Sequence, residues 1–295
     1  MRHAMKTRLC SLTLLICGVS LPELVCGQAF LGHYPAGVEG LKAATLPPPG
    51  VYFRDYNYLY WSEHYRGGPP EFELLAYVQA PRLIWITDCK VLGGYYGADI
   101  LVPFVYQNLE FTGFDDSRFG LGDIFVEPIT LSWHPKQWDL AVGYGFWAPS
   151  GDYDRTDLTS PGKGFWSHMF TAGLTYYPDK DKTWSISALN RYEIHHENDD
   201  WDITPGQTWT LEGGIGKALT KTIEVGVVGY YQLQTTSDSG PNASDAKDHV
   251  IGVGPEINMV CPRLNLITSI RYLREVGAHD RPEGNTLNIT FTRRF

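Results

Sequence analysis

Apolar and polar residues alternate at every second position through most of this chain, and this alternation constrains the fold more than any other feature. In one segment, Trp184, Ile186 and Ala188 would lie on one face of an extended chain, with Ser185 and Ser187 on the other. Side chains repeat with a period of two along a β-strand but at about 3.6 residues along an α-helix. The helical period is not sustained anywhere in the alternating part, so the sequence predicts an all-β fold.

The alternating segments are each about ten residues long, which is the length of a tilted strand that crosses a lipid bilayer. We place strands near residues 51–62, 78–88, 94–106, 119–133, 138–147, 165–177, 183–193, 207–217, 222–234, 249–259, 264–274 and 285–295. Bacterial outer-membrane barrels of one chain have even strand numbers, which about twelve strands would satisfy. The sequence therefore predicts a single closed antiparallel transmembrane β-barrel.

The connections between these segments alternate in length. The short ones are 134–137, 178–182, 218–221 and 260–263, and the long ones are 148–164, 194–206 and 235–248. Outer-membrane barrels have short periplasmic turns on one rim and longer extracellular loops on the other. We therefore expect six outer loops that are long, and both ends of the barrel on the periplasmic rim.

A soluble β-sandwich or barrel is the alternative fold, because its strands alternate in the same way. The chain contains 18 Tyr and 9 Trp, many of them at predicted strand ends. Examples are Trp133, Trp147, Trp166, Tyr176, Tyr177, Trp184 and Trp209. Membrane barrels carry aromatic girdles at both interfaces, so these positions favour the transmembrane barrel. Prolines at 103, 128 and 255 interrupt predicted strands, where we expect bulges or strand ends.

The last predicted strand ends on an aromatic residue. Leu287, Ile289, Phe291 and Phe295 occupy one face of it. In a soluble protein, a terminal strand of this kind would leave an apolar edge unprotected. We interpret these four residues as the C-terminal signal read by the barrel-assembly machinery.

The first residues predict a cleaved signal peptide, residues 1–27. Arg2, Lys6 and Arg8 precede an apolar run over 9–21, and small residues near Cys26 provide a cleavage site. A lipoprotein acylated on Cys26 is the alternative, although the residues before it match a lipobox poorly. Residues 28–50 show no alternation and predict an extended N-terminal periplasmic segment ahead of the barrel, residues 51–295.

Charge and cysteine content narrow the function further. A formal net charge of −9 argues against a nucleic-acid partner, since such proteins usually carry a basic patch. Cleavage of the signal peptide would leave two cysteines, Cys89 and Cys261, on turns far apart in strand order. We favour unpaired thiols, with a disulfide as the alternative.

Several motifs, taken in order, resemble the family named for the meta-pathway of phenol degradation, over residues 34–295. They are residues 37–40 and 48–52; Gly120, Gly122, Asp123, Pro128 and Trp133; Ala148, Pro149, Gly151 and Tyr153; Tyr192, Glu193 and Asn198; Pro205 and Gly206; residues 226–230 with Gln234; Gly254 and Pro255; and residues 275–284. The resemblance implies a Gram-negative outer-membrane barrel. It also implies, through the family's name, a role in uptake of aromatic or hydrophobic compounds.

Polar residues on the inward face of the predicted strands are the candidate lumen lining. They are Arg191, Glu193, Glu212, Glu224, Gln232, Gln234, Glu256, Asn258 and Arg271. Charges of both signs inside a barrel line a water-filled path or pair into a plug. A barrel of about twelve strands leaves room for a narrow channel and not for a wide pore.

We therefore predict an outer-membrane channel or facilitator for small hydrophobic or aromatic solutes. A non-transporting barrel with a structural or surface-interaction role is the second hypothesis, and a barrel enzyme using Ser167 with His168, or His249, is the third. No G-x-S-x-G motif occurs. The run His195-His196-Glu197, with Asn198 to Asp200, contains residue types that bind metals, but we favour a solvated loop because adjacent side chains on an extended chain point apart. We assign no catalytic residue, metal or cofactor. The expected partners are outer-membrane lipid and lipopolysaccharide, the assembly machinery and a small solute, without nucleic acid.

Overall fold

The computed structural model describes residues 32–241 and 243–295, so the predicted signal peptide lies outside the described residues. These described residues form fourteen strands joined in antiparallel pairs. In chain order the strands are β1 (Gly50–Arg66), β2 (Glu73–Val91), β3 (Gly94–Leu101), β4 (Phe104–Phe111), β5 (Phe114–Leu121), β6 (Ile124–Trp133), β7 (Trp138–Ala148), β8 (Ser167–Tyr176), β9 (Trp184–His195), β10 (Thr208–Ala218), β11 (Ile223–Gln234), β12 (His249–Cys261), β13 (Leu266–His279) and β14 (Arg281–Arg294). Over the same residues, no helix has the length and apolar character needed to cross a membrane.

The sheet closes on itself because β1 pairs with both β14 and β2. β3 and β4 pair with successive halves of β2, and are two parts of one interrupted strand. β5 and β6 continue each other in the same way. In the part of the chain that the structure describes, the ring therefore contains twelve strands, and the predicted closed barrel is confirmed.

Prolines account for two of the irregularities in the wall. Pro103 lies in the break between β3 and β4. Pro128 lies in a register shift between Val126 and Ile129, where β6 pairs with β7. Proline has no N–H to give to the sheet, so both positions carry the expected interruptions. Pro255 lies within continuous β12, opposite Val227.

The predicted short turns form the periplasmic rim, and the long loops 149–166, 196–207 and 235–248 stand on the opposite, outer rim. The expectation of six long outer loops was wrong at three connections. β1 is joined to β2 by residues 67–72, β4 turns into β5 at residues 112–113, and β13 turns into β14 at Asp280, which adopts a positive φ of 53°. At all three places the strands are longer than predicted and include residues that we had assigned to loops.

The barrel is apolar outside and polar inside. Leu83, Trp85 and Val227 are exposed on the outer surface, with exposed fractions of 49%, 56% and 60%. Buried Ser, Thr and Glu side chains occupy inward positions of the wall, above all on β9, β10 and β14. A soluble sandwich buries its apolar faces instead, so this reversal excludes that alternative and fits a lipid-facing wall. Cys89 and Cys261 are both free and exposed, as the unpaired interpretation predicted.

A lipid-facing position near the middle of β11 provides a test of this orientation. We expect Val227→Arg to lower the free energy of unfolding in lipid vesicles by about 2–4 kcal/mol, because a cation near the bilayer midplane is poorly solvated. Leu264→Arg is the matched control, since Leu264 is equally exposed, at 60%, but lies in a turn at the periplasmic rim. Its expected cost is about 0–1 kcal/mol. Equal losses in denaturant titrations of the two variants would contradict the assignment.

The N-terminal segment departs from the prediction of an extended periplasmic lead-in. Its described part, residues 32–49, lies inside the barrel, with Tyr34, Leu41 and Ala44 buried. It runs from His33, which bonds Ser167 near the outer rim, to Thr45, whose hydroxyl lies 3.1 Å from that of Tyr177 near the periplasmic rim. The physical reason is that polar side chains of the barrel wall bind the backbone of this segment.

Candidate functional site

Carboxylates of the wall hold the N-terminal segment by its backbone. Glu212 on β10 accepts the N–H groups of Gly37 and Glu39 at 3.1 and 3.3 Å, and the Tyr34 hydroxyl donates to it as well. Arg191 on β9 reaches the same carboxylate at 3.3 Å, and its guanidinium lies 4.1 Å from the centre of the Tyr34 ring. The segment thus satisfies a buried charge that the wall alone leaves exposed to the lumen.

A second anchor lies two strands further along the wall, on β12 and β13. Glu256 on β12 accepts the N–H of Leu41 at 2.9 Å and the Nε–H of Arg271 on β13 at 2.7 Å. Arg271 also donates to the carbonyls of Gly37 and Val38. Both partners of this ion pair are almost fully buried, with side-chain exposures of 4% for Arg271 and 1% for Glu256.

The other predicted lining residues also face inward. Glu193 accepts the N–H of Tyr34 at 3.1 Å, Gln232 donates to the Tyr34 carbonyl at 3.0 Å, and Glu224 pairs with Lys42 at 2.9 Å. Buried among the nine are Arg191, Glu193, Glu212, Glu224, Gln232, Glu256 and Arg271, while Gln234 and Asn258 are half-buried. Their role as the lining of a solute path stays a prediction.

Two further ionic groups in the lumen were not predicted. Arg82 on β2 binds Asp99 at 2.7 Å and Glu127 at 2.9 Å, and Arg54 on β1 binds Glu39 at 3.2 Å. Burial opposes ionisation of Glu39, but Arg54, with Arg191 beyond it, holds the pKa of this carboxyl below its ordinary value. The inward positions of Arg82 and Asp99 follow the strand period, which is the signal that could have identified them.

Beside the N-terminal segment the lumen retains a cavity of about 300 Å³. Aromatic and apolar side chains form much of its wall, among them Tyr56, Tyr58, Phe125, Trp147 and Met169. The cavity also borders Pro103 and Gly122, at the breaks between β3 and β4 and between β5 and β6. A concave, mainly apolar space with a few polar groups at its edge is suited to binding small organic molecules.

A row of buried polar groups lies at the outer end of the lumen. Nε2 of His33 lies 3.0 Å from Asp123, and its Nδ1 lies 2.7 Å from the Ser167 hydroxyl. Ser167 is also 2.6 Å from Nδ1 of His195, whose Nε2 lies 3.2 Å from the Thr208 hydroxyl. Burial lowers the pKa of His33 to about 4, despite its bond to Asp123, so the ring is neutral.

The directions of these bonds follow from the neutral ring. His33 donates Nε2–H to Asp123, so its Nδ1 must accept from Ser167. The Ser167 oxygen can then accept Nδ1–H of His195, and Nε2 of His195 can accept from Thr208. Each donor therefore has one acceptor along the whole row. Nothing in the sequence marks this cluster, because His33 and Ser167 are separated by 134 residues.

Other predicted groups lie on the outside of the barrel. On the final strand, Leu287 and Ile289 are partly exposed, and Phe291 and Phe295 are 40% and 72% exposed. Their role in barrel assembly stays a prediction. His168 bonds the Tyr144 hydroxyl at 2.8 Å on the face opposite to buried Ser167, so these two neighbours do not form a nucleophile and base pair.

One family of sequences matches most of the chain. Its model, described as "Putative MetA-pathway of phenol degradation", covers residues 57–291. No curated protein matches the sequence.

Solved structures share the fold at low sequence identity. An outer membrane channel from Pseudomonas putida F1 superposes with a TM-score of 0.76 at 15% identity, covering 89% of this chain and 99% of that one. The translocator domain of the autotransporter NalP from Neisseria meningitidis gives 0.52 at 9% identity, covering 85% and 91%. The transport unit of the autotransporter AIDA-I from Escherichia coli gives 0.52 at 10%, covering 86% and 93%. These similarities show a common outer-membrane barrel fold.

Proposed function

We propose, because this chain belongs to the MetA-pathway of phenol degradation family, that it is an outer-membrane channel or facilitator for small hydrophobic or aromatic solutes. The P. putida barrel of similar fold is itself described as an outer membrane channel, which supports the channel part of the proposal. We place the chain in the outer membrane of a Gram-negative bacterium, in contact with lipid and lipopolysaccharide.

The observation that carries the proposal is the cavity between the N-terminal segment and the wall. The aromatic residues of its lining, among them Tyr58 and Trp147, offer ring faces and edges to a planar solute. An offset or edge-to-face aromatic contact is worth about 0.5–1.5 kcal/mol beyond the burial of apolar surface. A volume of about 300 Å³ is at the lower end of ordinary ligand pockets, which restricts the solute to a small molecule.

The state of the lumen charges supports a neutral solute. Arg191 pairs with Glu212, Arg271 with Glu256, and Arg82 with Asp99. Paired charges attract a mobile ion far less than free ones, since each field is largely cancelled by its partner. The same pairing also favours our second candidate, a structural barrel that transports nothing. Uptake measurements separate the two.

Filling the cavity is the direct test. Ala80 on β2 is buried and lines the cavity, whereas Leu83 on the same strand points outward. We expect Ala80→Trp to reduce uptake of a radiolabelled monocyclic phenol by cells at least several-fold, because the indole would occupy the solute space. Leu83→Trp, the matched control, should transport as the wild type does.

Heat-modifiable migration in gels confirms that each variant is folded before uptake is compared. If folded wild-type protein does not raise uptake above that of cells lacking the protein, the channel is excluded and the non-transporting structural barrel is the remaining candidate. Normal uptake by Ala80→Trp would place the solute path outside this cavity.

We further propose that the chain is not an enzyme. Ser167, His33 and Asp123 have the composition of a hydrolytic triad, but Ser167 is fully buried and lies between two imidazole rings. A nucleophile must reach the carbon that it attacks, and here the edge of Phe165 also packs on both histidines. The solved relatives, described as a channel and as autotransporter domains, agree with a non-catalytic barrel.

A further inference from the structure

Three potential metal ligands meet in the buried row at the outer end of the lumen. His33, Glu193 and His195 each offer an atom, and these atoms all lie within 4.8 Å of one another. The exposed fractions of the three residues are only 8%, 1% and 5%. They come from two separate parts of the chain, the N-terminal segment and the end of β9, so their convergence is a property of the folded barrel.

The two histidines present the same ring nitrogen to the same point. Nδ1 of His33 and Nδ1 of His195 lie 2.7 and 2.6 Å from the single hydroxyl of Ser167. A hydroxyl has one proton and can donate to only one of them. Rotation of the Ser167 side chain would leave two imidazole nitrogens and the Glu193 carboxylate facing a common space.

The opposite ring nitrogens already have the partners that metal-ligating histidines use. Nε2 of His33 lies 3.0 Å from the Asp123 carboxylate, and Nε2 of His195 lies 3.2 Å from the Thr208 hydroxyl. Asp123 fixes the His33 tautomer with its free Nδ1 toward the shared point and raises the basicity of the ring. His195 presents a free Nδ1 there in its other tautomer, in which Nε2–H donates to the Thr208 hydroxyl. Aromatic rings surround the group, since His33 stacks on Trp147 at 5.5 Å and meets the edge of Phe165 at 4.7 Å.

The charge around the cluster also suits a cation. Glu193 and Asp123 are two carboxylates, and Lys163 is a neighbouring ammonium that acts electrostatically on His33, Asp123 and Glu193. Among these three groups the carboxylates outnumber the ammonium. Two nitrogen ligands and one carboxylate favour a borderline transition cation over Mg²⁺ or Ca²⁺, which require mainly oxygen ligands.

We propose that His33, Glu193 and His195 form a binding site for a divalent transition cation of the Zn²⁺ class, which fastens the N-terminal segment to the outer end of β9. This site goes beyond the transport of small solutes, because it assigns the segment a metal-dependent attachment.

The experiment uses untagged, chelator-treated protein, residues 28 to the end, folded in detergent. Zn²⁺ binding is measured by competition with a chromophoric chelator, and Co²⁺ binding by its visible absorption. We expect one Zn²⁺ per chain, no competition by Mg²⁺, and Co²⁺ bands typical of a low-coordinate site. His195→Ala and Glu193→Gln should abolish stoichiometric binding. Asp123→Asn should weaken it by about 10–100-fold, the usual effect of losing an outer partner of a ligand histidine.

Two histidine pairs on the outer surface supply matched controls. His168 lies 4.9 Å from His196, and His249 lies 5.3 Å from His279. Alanine at both members of either pair should leave Zn²⁺ binding unchanged. The proposal is overturned if folded wild type binds no Zn²⁺, or if binding survives His195→Ala and is lost in a surface-pair variant. Quenching of fluorescence by bound Co²⁺ should fall in Trp147→Phe, which reports the place of the metal independently of the ligands.

Discussion

Deletion of residues 28–49 is expected to raise the single-channel conductance of the barrel several-fold in planar bilayers. The described part of this segment occupies the lumen from the outer to the periplasmic rim, and its removal leaves a path bordered by polar and charged side chains. Water and ions would then solvate Glu212 and Glu256 in place of the backbone N–H groups of residues 37, 39 and 41.

The deletion should not prevent closure of the barrel. The ring is held by pairing of β1 with β14 and β2, which begins at Gly50 and does not involve the deleted residues. Heat-modifiable migration of the deletion protein checks this point. A synthetic peptide of residues 28–49, added to the periplasmic side, should lower the conductance again. A folded deletion barrel with the conductance of the wild type would show that the segment does not obstruct the lumen.

Arg271→Met is expected to lower the free energy of unfolding by about 3–5 kcal/mol, which is the usual result of removing one partner of a buried ion pair. The substitution leaves the Glu256 carboxylate without its cation and the carbonyls of Gly37 and Val38 without their donor. Urea or guanidinium titration of the variant in lipid vesicles measures the loss.

A compensated variant separates charge from packing. Arg271→Met combined with Glu256→Gln should recover most of the stability, because it removes both charges and keeps an acceptor for the Leu41 N–H. A loss below about 1 kcal/mol for Arg271→Met alone would mean that the pair is solvated like one on a protein surface.

The alternation of apolar and polar residues, with its period of two, was sufficient to predict the strands that form the barrel wall. It assigned all twelve membrane-crossing segments, and it placed Arg191, Glu212 and Arg271 on the face that the structure buries. The prediction succeeded because one side of each strand faces lipid and the other faces the lumen. The alternation of residue types within a strand therefore shows which side chains point outward and which point inward.

The contents of the lumen were beyond the reach of the same reasoning. Residues 32–49 have no period, and their partners are remote: 215 residues separate Leu41 from Glu256. Backbone amides donate whatever the side chain is, so no residue type in the segment marks it as bound. His33 illustrates the same limit, since its partners Asp123 and Ser167 lie 90 and 134 residues away.

The attachment of the N-terminal segment determines when during folding its native contacts can form. Residues 32–49 are synthesised before every strand, yet their acceptors stand on β9, β10 and β12, and Arg271 stands on β13. Contacts of such long sequence separation form late, because the intervening chain must first be ordered. The oldest part of the folded chain is therefore among the last to acquire its native contacts, because the strands that bind it must be in place first.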